Sequence, residues 1–318
     1  MSLELIVSAA LPDTSVQITS LTFSRDGAQL LVGTNRAVPA NELLGMQWVT
    51  WGTSPPVVQA LQLPQVGFKP DIDSGAVAFD VDDSNALVAA GTYSAYRADE
   101  EELWLVSKAD ERPPRLVARS RNASLPFSLT RDQAHAVVLR SEDGVTQLEL
   151  IRLTSLDIEF RVPVPIESQS KRALDVAANN DRSQFAIAFD DRVVCTGRDG
   201  ATTAAWPNTD RLRRLTFGNG DKTLFGVSRD QVVRFQFGQE PRVFSLPKTR
   251  SWAFSEEREV ITFFDGDSFQ ELDLDTGARR TLGAMPHRFI AQGYDLARRR
   301  IGVIGYEEAV FQLRVFQY

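Results

Sequence analysis

The sequence predicts an all-β fold made of seven copies of one four-stranded unit. The clearest copy spans residues 16–34, where the apolar runs TSLTFS and QLLVGT flank Arg-Asp-Gly, a tight-turn signal between two strands. Hairpins of this kind recur at spacings of roughly 37 to 56 residues, which bracket the period of propeller repeats. We therefore predict one seven-bladed β-propeller domain over residues 1–318.

The hairpins align on the residue that ends each first strand. These anchors are Phe23, Phe79, Leu129, Ala178, Phe217, Phe254 and Tyr294. An apolar second strand follows each anchor, and third and fourth strands follow in every unit except the last, which has only a third. The predicted blades occupy residues 16–63, 74–119, 124–164, 171–206, 211–246, 250–283 and 287–318.

The last unit lacks a fourth strand, because the sequence ends within its third strand at Tyr318. Residues 3–11, LELIVSAAL, precede the first unit and have no partner there. If this segment supplies the outer strand of blade 7, the ring closes without an open edge between its first and last blades. We therefore expect strand 3–11 to pair within blade 7.

Three segments resemble the repeats of the WD family. They are the hairpin ITSLTFSRDGAQLLVGT, the third strand DQVVRFQF at residues 230–237, and LDLDTG at residues 272–277. The pattern covers the whole chain, although no blade carries the Gly-His pair and no third strand ends in Trp-Asp. The resemblance implies a propeller that serves as a protein-interaction adaptor. Size and ring closure are similar to those of mitotic-checkpoint and mRNA-export adaptor propellers.

Composition favours a soluble globular protein, with 43% hydrophobic and 24% charged residues. Cys195 is the single cysteine, so the chain has no intramolecular disulfide and no cysteine-based zinc site. Glu4 interrupts the apolar N-terminal run and no basic residue precedes it, unlike a signal peptide. No stretch is long and apolar enough to span a membrane. These features favour a cytoplasmic or nuclear location.

Catalytic motifs are absent from the sequence. The two histidines, His135 and His287, belong to different blades, and there is no nucleophile elbow, phosphate-binding loop or dinucleotide fingerprint. The acidic run at residues 80–85 is explained by turn chemistry rather than by calcium binding. We predict no enzymatic activity, no cofactor and no bound metal. The rival is an enzyme of the carbohydrate or lactone type, with acids or histidines converging on a metal in the channel.

The basic residues are unevenly placed within a net charge of −7. In blades 4 to 7, the segments leading into the first strands are basic, and in a propeller such segments gather at one mouth of the channel. Positive potential focused there suits an acidic or phosphorylated peptide, gripped by arginine forks and an apolar anchor. The candidate binding residues are Lys171, Arg172, Arg211, Arg213, Lys248, Arg250, Trp252 and Arg288.

A structural explanation of these basic residues remains open beside the binding one. The turns between the second and third strands are predicted to lie on the same face, and they are acidic. Each basic side chain could therefore pair with an acid of its own blade, in a surface ion pair worth only about 0 to 1 kcal/mol. The acids are Asp143, Asp190, Asp191, Asp230, Asp265, Asp267, Glu307 and Glu308.

A second candidate surface lies in blades 1 and 2. Residues 35–46 and 92–102 lengthen connections that need only two to five residues in a hairpin, and long loops on a rigid scaffold often bind partners. Tyr93, Tyr96 and Arg97 belong to the second of these segments. In this alternative, the chain is a subunit of a larger hetero-complex. Nucleic acid is not an expected partner, because no continuous basic stripe is present.

Overall fold

The structure is a computed structural model. It describes residues 3–11, 17–35, 45–51, 56–62, 73–82, 84–94, 97–108, 112–121, 125–142, 145–164, 172–208, 212, 214–247, 252–255, 257–285, 289–307 and 310–318. The described residues form 28 β-strands and one short 3₁₀ turn, Asn219–Asp221. The strands make seven four-stranded sheets, each built mainly from consecutive strands. This is the number of blades predicted from the repeats.

The contacts divide the chain into two compact units. The first comprises Met1–Ala123, Asp267–Phe269 and Thr281–Tyr318. It contains blades 1, 2 and 7. Blade 1 has β2 (Gln17–Phe23), β3 (Gln29–Asn35), β4 (Gly45–Thr50) and β5 (Val57–Gln62). Blade 2 has β6 (Asp73–Asp80), β7 (Asn85–Ser94), β8 (Arg97–Ser107) and β9 (Arg115–Arg121). Blade 7 has β26 (Phe289–Asp295), β27 (Arg300–Glu307), β28 (Val310–Gln317) and β1 (Glu4–Leu11).

The second unit comprises Ser124–Gly266 and Gln270–Arg280. Blade 3 has β10 (Phe127–Leu129), β11 (His135–Glu142), β12 (Val145–Arg152) and β13 (Ile158–Pro163). Blade 4 has β14 (Ala173–Ala178), β15 (Gln184–Phe189), β16 (Arg192–Gly197) and β17 (Thr202–Pro207). Blade 5 has β18 (Arg214–Phe217), β19 (Thr223–Val227), β20 (Gln231–Gln236) and β21 (Arg242–Ser245). Blade 6 has β22 (Trp252–Ser255), β23 (Val260–Asp265), β24 (Ser268–Asp273) and β25 (Arg279–Ala284).

The N-terminal strand closes blade 7 as predicted. Strand β1 pairs antiparallel with β28, from Glu4 opposite Gln317 to Leu11 opposite Phe311. The pairing covers the outer edge of β28, which would otherwise expose a row of unpaired backbone groups. Leu11 is 1% exposed and belongs to the apolar cluster shared by blades 7 and 1. The first strand therefore contributes both hydrogen bonds and core packing to the last blade.

The turn between the first and second strands has a recurring geometry that explains the sequence repeat. In blade 1, the Ser24 hydroxyl donates to Asp26 at 2.6 Å and accepts the backbone amide of Gln29 at 2.8 Å. Asp26 in turn accepts the amide of Ala28 at 2.9 Å. The turn is completed by Gly27, whose φ of +68° is in the left-handed region. Blade 3 repeats this arrangement with Thr130 and Asp132.

Apolar strand faces form the cores between neighbouring blades of each unit. Blades 3 and 4 share a cluster that includes Leu148, Leu150 and Phe185. Blades 4 and 5 share one that includes Phe217 and Phe235. Apolar burial is worth about 25 cal/mol per Å², so these faces supply the main stabilisation within each unit. Loops and turns at the strand ends are consequently free to vary.

Candidate functional site

Two of the eight predicted binding residues lie within the described part of the chain. Arg172 is exposed directly before β14, and its carbonyl accepts the backbone amide of Asp190 at 3.2 Å. Trp252 is the first residue of β22. The remaining six lie outside the described residues, namely Lys171, Arg211, Arg213, Lys248, Arg250 and Arg288.

Trp252 is half-buried and packs on the apolar cluster shared by blades 5 and 6. It is paired in register with Phe263, which is fully buried. The indole therefore contributes to the core, a role that its position at the start of a strand did not predict. Its role as an anchor for a ligand remains a prediction.

Arg214 is the first residue of β18 in blade 5, whereas Arg172 directly precedes β14 in blade 4. Its side chain is exposed. The first strands of the two blades are tied together, because the Leu215 amide donates a hydrogen bond to Oδ2 of Asp175 at 2.5 Å. Two exposed arginines are thus held at the starts of neighbouring first strands. Strand geometry therefore positions part of the predicted basic surface within a single compact unit.

Asp175 is an acid within this basic surface that sequence reasoning did not single out. Asp175 is half-buried, and Oδ2 of its carboxyl group accepts the backbone amide of Leu215. Burial raises the pKa of Asp175 to about 7, although the Arg214 charge and the amides of Leu215 and Val176 act in the opposite direction. The group therefore changes charge close to neutral pH. A register shift between Ala173 and Asp175, which no letter pattern indicates, places the side chain.

Several acids in the turns between second and third strands have partners in their own hairpin. Asp191 pairs with the adjacent Arg192 at 3.2 Å, and Asp230 accepts the Ser228 hydroxyl at 3.3 Å. In blade 7, Arg314 binds Glu307 through two hydrogen bonds of 2.8 and 2.7 Å. Each of these acids therefore has a partner within its own hairpin. The alternative of one ion pair per blade with the basic segments remains a prediction.

The predicted long loop of blade 2 is instead a β-hairpin, so that part of the sequence interpretation is wrong. Tyr93 lies in β7 and Arg97 in β8, with Ser94 directly opposite Arg97 in the register. Cross-strand pairing extends through the segment that composition alone suggested was a loop. Tyr96 and residues 36–44 of blade 1 lie outside the described residues. The hypothesis that Tyr93, Tyr96 and Arg97 contact a partner remains untested.

The described residues were compared with three features of catalytic sites, namely a metal-ligand cluster, a reactive thiol and a cavity. They contain no group of three or more His, Cys, Asp or Glu side chains that could hold a metal ion. Burial raises the pKa of the Cys195 thiol to about 12, which makes it a poor nucleophile. A cavity in blade 7, partly lined by Phe289 and Phe316, has a volume of about 10 Å³, near the size of one water molecule.

His135 has a structural environment. Its Nε2 atom lies 3.0 Å from Glu159, and its Nδ1 atom lies 3.0 Å from the guanidinium group of Arg182. Glu159 also binds Arg152. The hydrogen bonds from Arg152 and His135 lower the pKa of Glu159. Arg182 pairs with Asp132 at 3.0 Å. Both ring nitrogens of His135 therefore bind side chains of a network that connects blades 3 and 4.

Comparison with solved structures identifies the fold. The chain is similar to the crystal structure of the β-propeller domain of Cps50 (Swd1) from Myceliophteria thermophila, with a TM-score of 0.63 and 12% sequence identity. The match covers 99% of this chain and 99% of that chain. No protein family and no curated protein matched the sequence. No described helix is long and apolar enough to cross a membrane.

The chain is therefore a seven-bladed β-propeller closed by its N-terminal strand, and the predicted fold class is confirmed. At 12% identity, the similarity to Cps50 (Swd1) concerns the fold alone.

Proposed function

We propose that the protein is a noncatalytic interaction scaffold that binds an acidic or phosphorylated peptide segment. The ligand would contact the basic segments that precede the first strands in blades 4 to 7, in the cytoplasm or nucleus. The segments of blades 4 to 6 belong to one compact unit and contain Arg172 and Arg214, so they form the part of the surface with structural support. The protein would act as a subunit of a larger complex.

The observation that carries the proposal is the pair of exposed arginines at the starts of neighbouring first strands. Arg172 precedes β14 and Arg214 begins β18, and the hydrogen bond from the Leu215 amide to Asp175 connects these two strands. Rigid presentation reduces the entropy that a binding surface loses when it engages a ligand. Guanidinium groups also bind carboxylate and phosphate through two parallel hydrogen bonds. A row of such groups therefore favours an anionic segment over a neutral one.

The test compares the partners captured by the wild-type protein and by the double variant Arg213→Glu/Arg250→Glu. A matched control, Arg112→Glu/Lys222→Glu, makes the same change of charge at exposed positions away from these segments. We expect the control to retain the wild-type partners and the first variant to lose those with acidic or phosphorylated segments. An unchanged set of partners, with intact folding by circular dichroism, would show that the basic segments do not bind them.

The hairpin of blade 2 supports a second candidate function, that of a subunit gripped through blades 1 and 2. Strands β7 and β8, with 10 and 11 residues, are the longest of the described strands. The run Asp99–Glu102 lies on β8, close to the tip that Ser94 and Arg97 form. Within it, Glu102 is buried and pairs with Arg119, so the acids nearer the tip are the candidates for contact with a partner. An acidic strand of this kind suits a basic partner. Replacement of Asp99 and Glu100 by Asn and Gln should weaken such a complex without affecting acidic ligands.

A further inference from the structure

Asp175 reaches from blade 4 to blade 5. The register of β14 against β15 shifts between Ala173 and Asp175, and such bulges redirect a side chain. As a result, Oδ2 of Asp175 accepts the amide of Leu215 in β18 at 2.5 Å. Arg214 is the residue immediately before Leu215. The carboxyl group of Asp175 is therefore bonded to the backbone directly after Arg214, and the charge of this exposed arginine acts on it, at the surface where we propose that an anionic segment binds.

Arg214 is the charged group that acts on Asp175. The strands packed around β14 contribute otherwise neutral or engaged side chains. In β15, the residue opposite Asp175 is Ala188. The neutral side chains of β10 and of β18 after Arg214 are Phe127, Ser128, Leu129, Leu215, Thr216 and Phe217.

Strand β11 also lies next to β14 and carries three charged or titratable residues, His135, Arg140 and Glu142. The side chains of the first two are described. His135 is held by Glu159 and Arg182, and Arg140 pairs with Glu149 at 3.1 Å. Neither is engaged with Asp175. The ionisation of Asp175 is therefore governed by its burial, by Arg214 and by two backbone amides. Burial raises the pKa of Asp175 to about 7, whereas an ordinary aspartate is ionised throughout the neutral range.

We propose that Asp175 determines how strongly this surface binds anionic segments, by acting as a proton-dependent counter-ion of Arg214. As a carboxylate, it attracts Arg214 and repels the ligand. As a carboxylic acid, it leaves the guanidinium charge uncompensated and keeps the hydrogen bond from Leu215. This inference rests on the proposed function. It adds that the ligand must carry its charge at slightly acidic pH, where the surface is most positive.

The expected effect is moderate, because one charge is removed at a partly hydrated surface. Coulomb interactions over several ångströms at an effective dielectric constant between those of protein and water correspond to roughly a threefold to tenfold change in affinity. Binding should therefore tighten by about this factor as the pH falls from 8 to 6. A phosphorylated ligand would gain less, since its second pKa near 6 removes negative charge over the same range.

The experiment measures fluorescence anisotropy of a labelled oligo-glutamate peptide at pH 6, 7 and 8 and constant ionic strength. The carboxylates of this probe remain ionised over that range, so any pH dependence belongs to the protein. The variants are Asp175→Asn, which keeps an acceptor for the Leu215 amide, and Asp190→Asn, an exposed acid of the same blade. A third variant, His287→Asn, removes the other group that could titrate in these segments.

We expect wild type, Asp190→Asn and His287→Asn to bind more tightly at low pH. Asp175→Asn should bind with the low-pH affinity of wild type at every pH. Binding by Asp175→Asn that retains the wild-type pH dependence would overturn the role of Asp175 and leave the proposed function standing. Failure of every protein to bind the probe at any pH would contradict both.

A double-mutant cycle separates the role of Asp175 from an effect on folding. Arg214→Met should weaken binding, and Asp175→Asn should have little further effect in that background, because loss of the Arg214 charge raises the pKa of Asp175 and favours its neutral form. Thermal melts of all four proteins verify that they fold. Equal effects of Asp175→Asn with and without Arg214 would contradict the counter-ion role.

Discussion

The guanidinium group of Arg182 lies 3.0 Å from Nδ1 of His135 and connects the first turn of blade 4 to the second strand of blade 3. Arginine has only donors, so Nδ1 must accept this bond and is unprotonated. The proton of a neutral imidazole is then on Nε2, where it is donated to Glu159 at 3.0 Å. The contact thus assigns a tautomer to His135 and joins two blades of the same unit.

Replacement of Arg182 by Met should reduce stability by about 1 to 2 kcal/mol, because the buried imidazole loses a charged donor and Asp132 loses its partner. Urea denaturation, followed by circular dichroism, measures the change. Arg229→Met is the matched control, since Arg229 is exposed in another turn, and it should change stability by less than about 0.5 kcal/mol. Equal effects of the two variants would show that the contact with His135 contributes nothing.

Leu11→Ala should destabilise the unit that contains blade 7 by about 2 to 4 kcal/mol, because Leu11 is 1% exposed within the cluster of blades 7 and 1. Leu5→Ala provides the control on the same strand, where the side chain is 51% exposed and should matter little. Thermal unfolding measures both. Deletion of residues 1–11 should be more severe than either substitution. A truncated protein that melts like the intact one would contradict closure by β1.

Asp175→Asn should raise stability relative to wild type at pH 8 more than at pH 5. The pKa of Asp175 is raised to about 7 in the folded protein, so folding favours the protonated form. The stability that this carboxyl contributes is present at low pH and is lost as the pH rises from about 4 through 7. Asparagine cannot ionise and avoids the loss.

Denaturation curves of Asp175→Asn and wild type between pH 5 and 8 measure this effect. The difference between them should grow by at most about 1.4 kcal/mol per pH unit below pH 7 and level off above it. Asp190→Asn, at an exposed position, should show no such trend. A constant difference between Asp175→Asn and wild type over the whole range would mean that Asp175 has an ordinary pKa.

Gly27→Ala should destabilise the protein more than Gly266→Ala. Both glycines have positive φ, +68° and +60°, so both substitutions introduce backbone strain of about 1 to 2 kcal/mol. A Cβ at Gly27 would also lie 2.7 Å from Oδ2 of Asp295, a buried residue that pairs with Arg298. A Cβ at Gly266 would meet no atom within 4 Å. Thermal midpoints of the two variants test this. Equal losses would indicate that Asp295 moves aside without cost.

The sequence was sufficient to predict the repeat, because local features determine it. Turn residues such as Asp26 and Gly27 fix the first hairpin, and the six other anchors end or nearly end first strands in the structure. Closure by residues 3–11 could also be predicted, since a missing strand at one end matched a surplus strand at the other. These inferences depend only on alternation of apolar residues and on turn chemistry.

The surroundings of individual side chains could not be predicted in the same way. Asp175 depends on a register shift and on burial by a neighbouring blade, neither of which leaves a local pattern. Trp252 was predicted from its position at a strand start, but its packing depends on the aromatic residues of blade 5. The hairpin of Tyr93 and Arg97 was mistaken for a loop, because cross-strand pairing outweighed the low strand propensity of an acidic run.

The pairing of β1 with β28 has a consequence for biosynthesis. The two strands are separated by about 300 residues in the chain, so β1 has no partner until β28 has been synthesised. Until then, the apolar side of β1, including Leu11, has no core to enter. A nascent chain with an uncovered strand is prone to aggregate, and it is the kind of intermediate that chaperones bind. Completion of blade 7 must therefore follow the synthesis of β28.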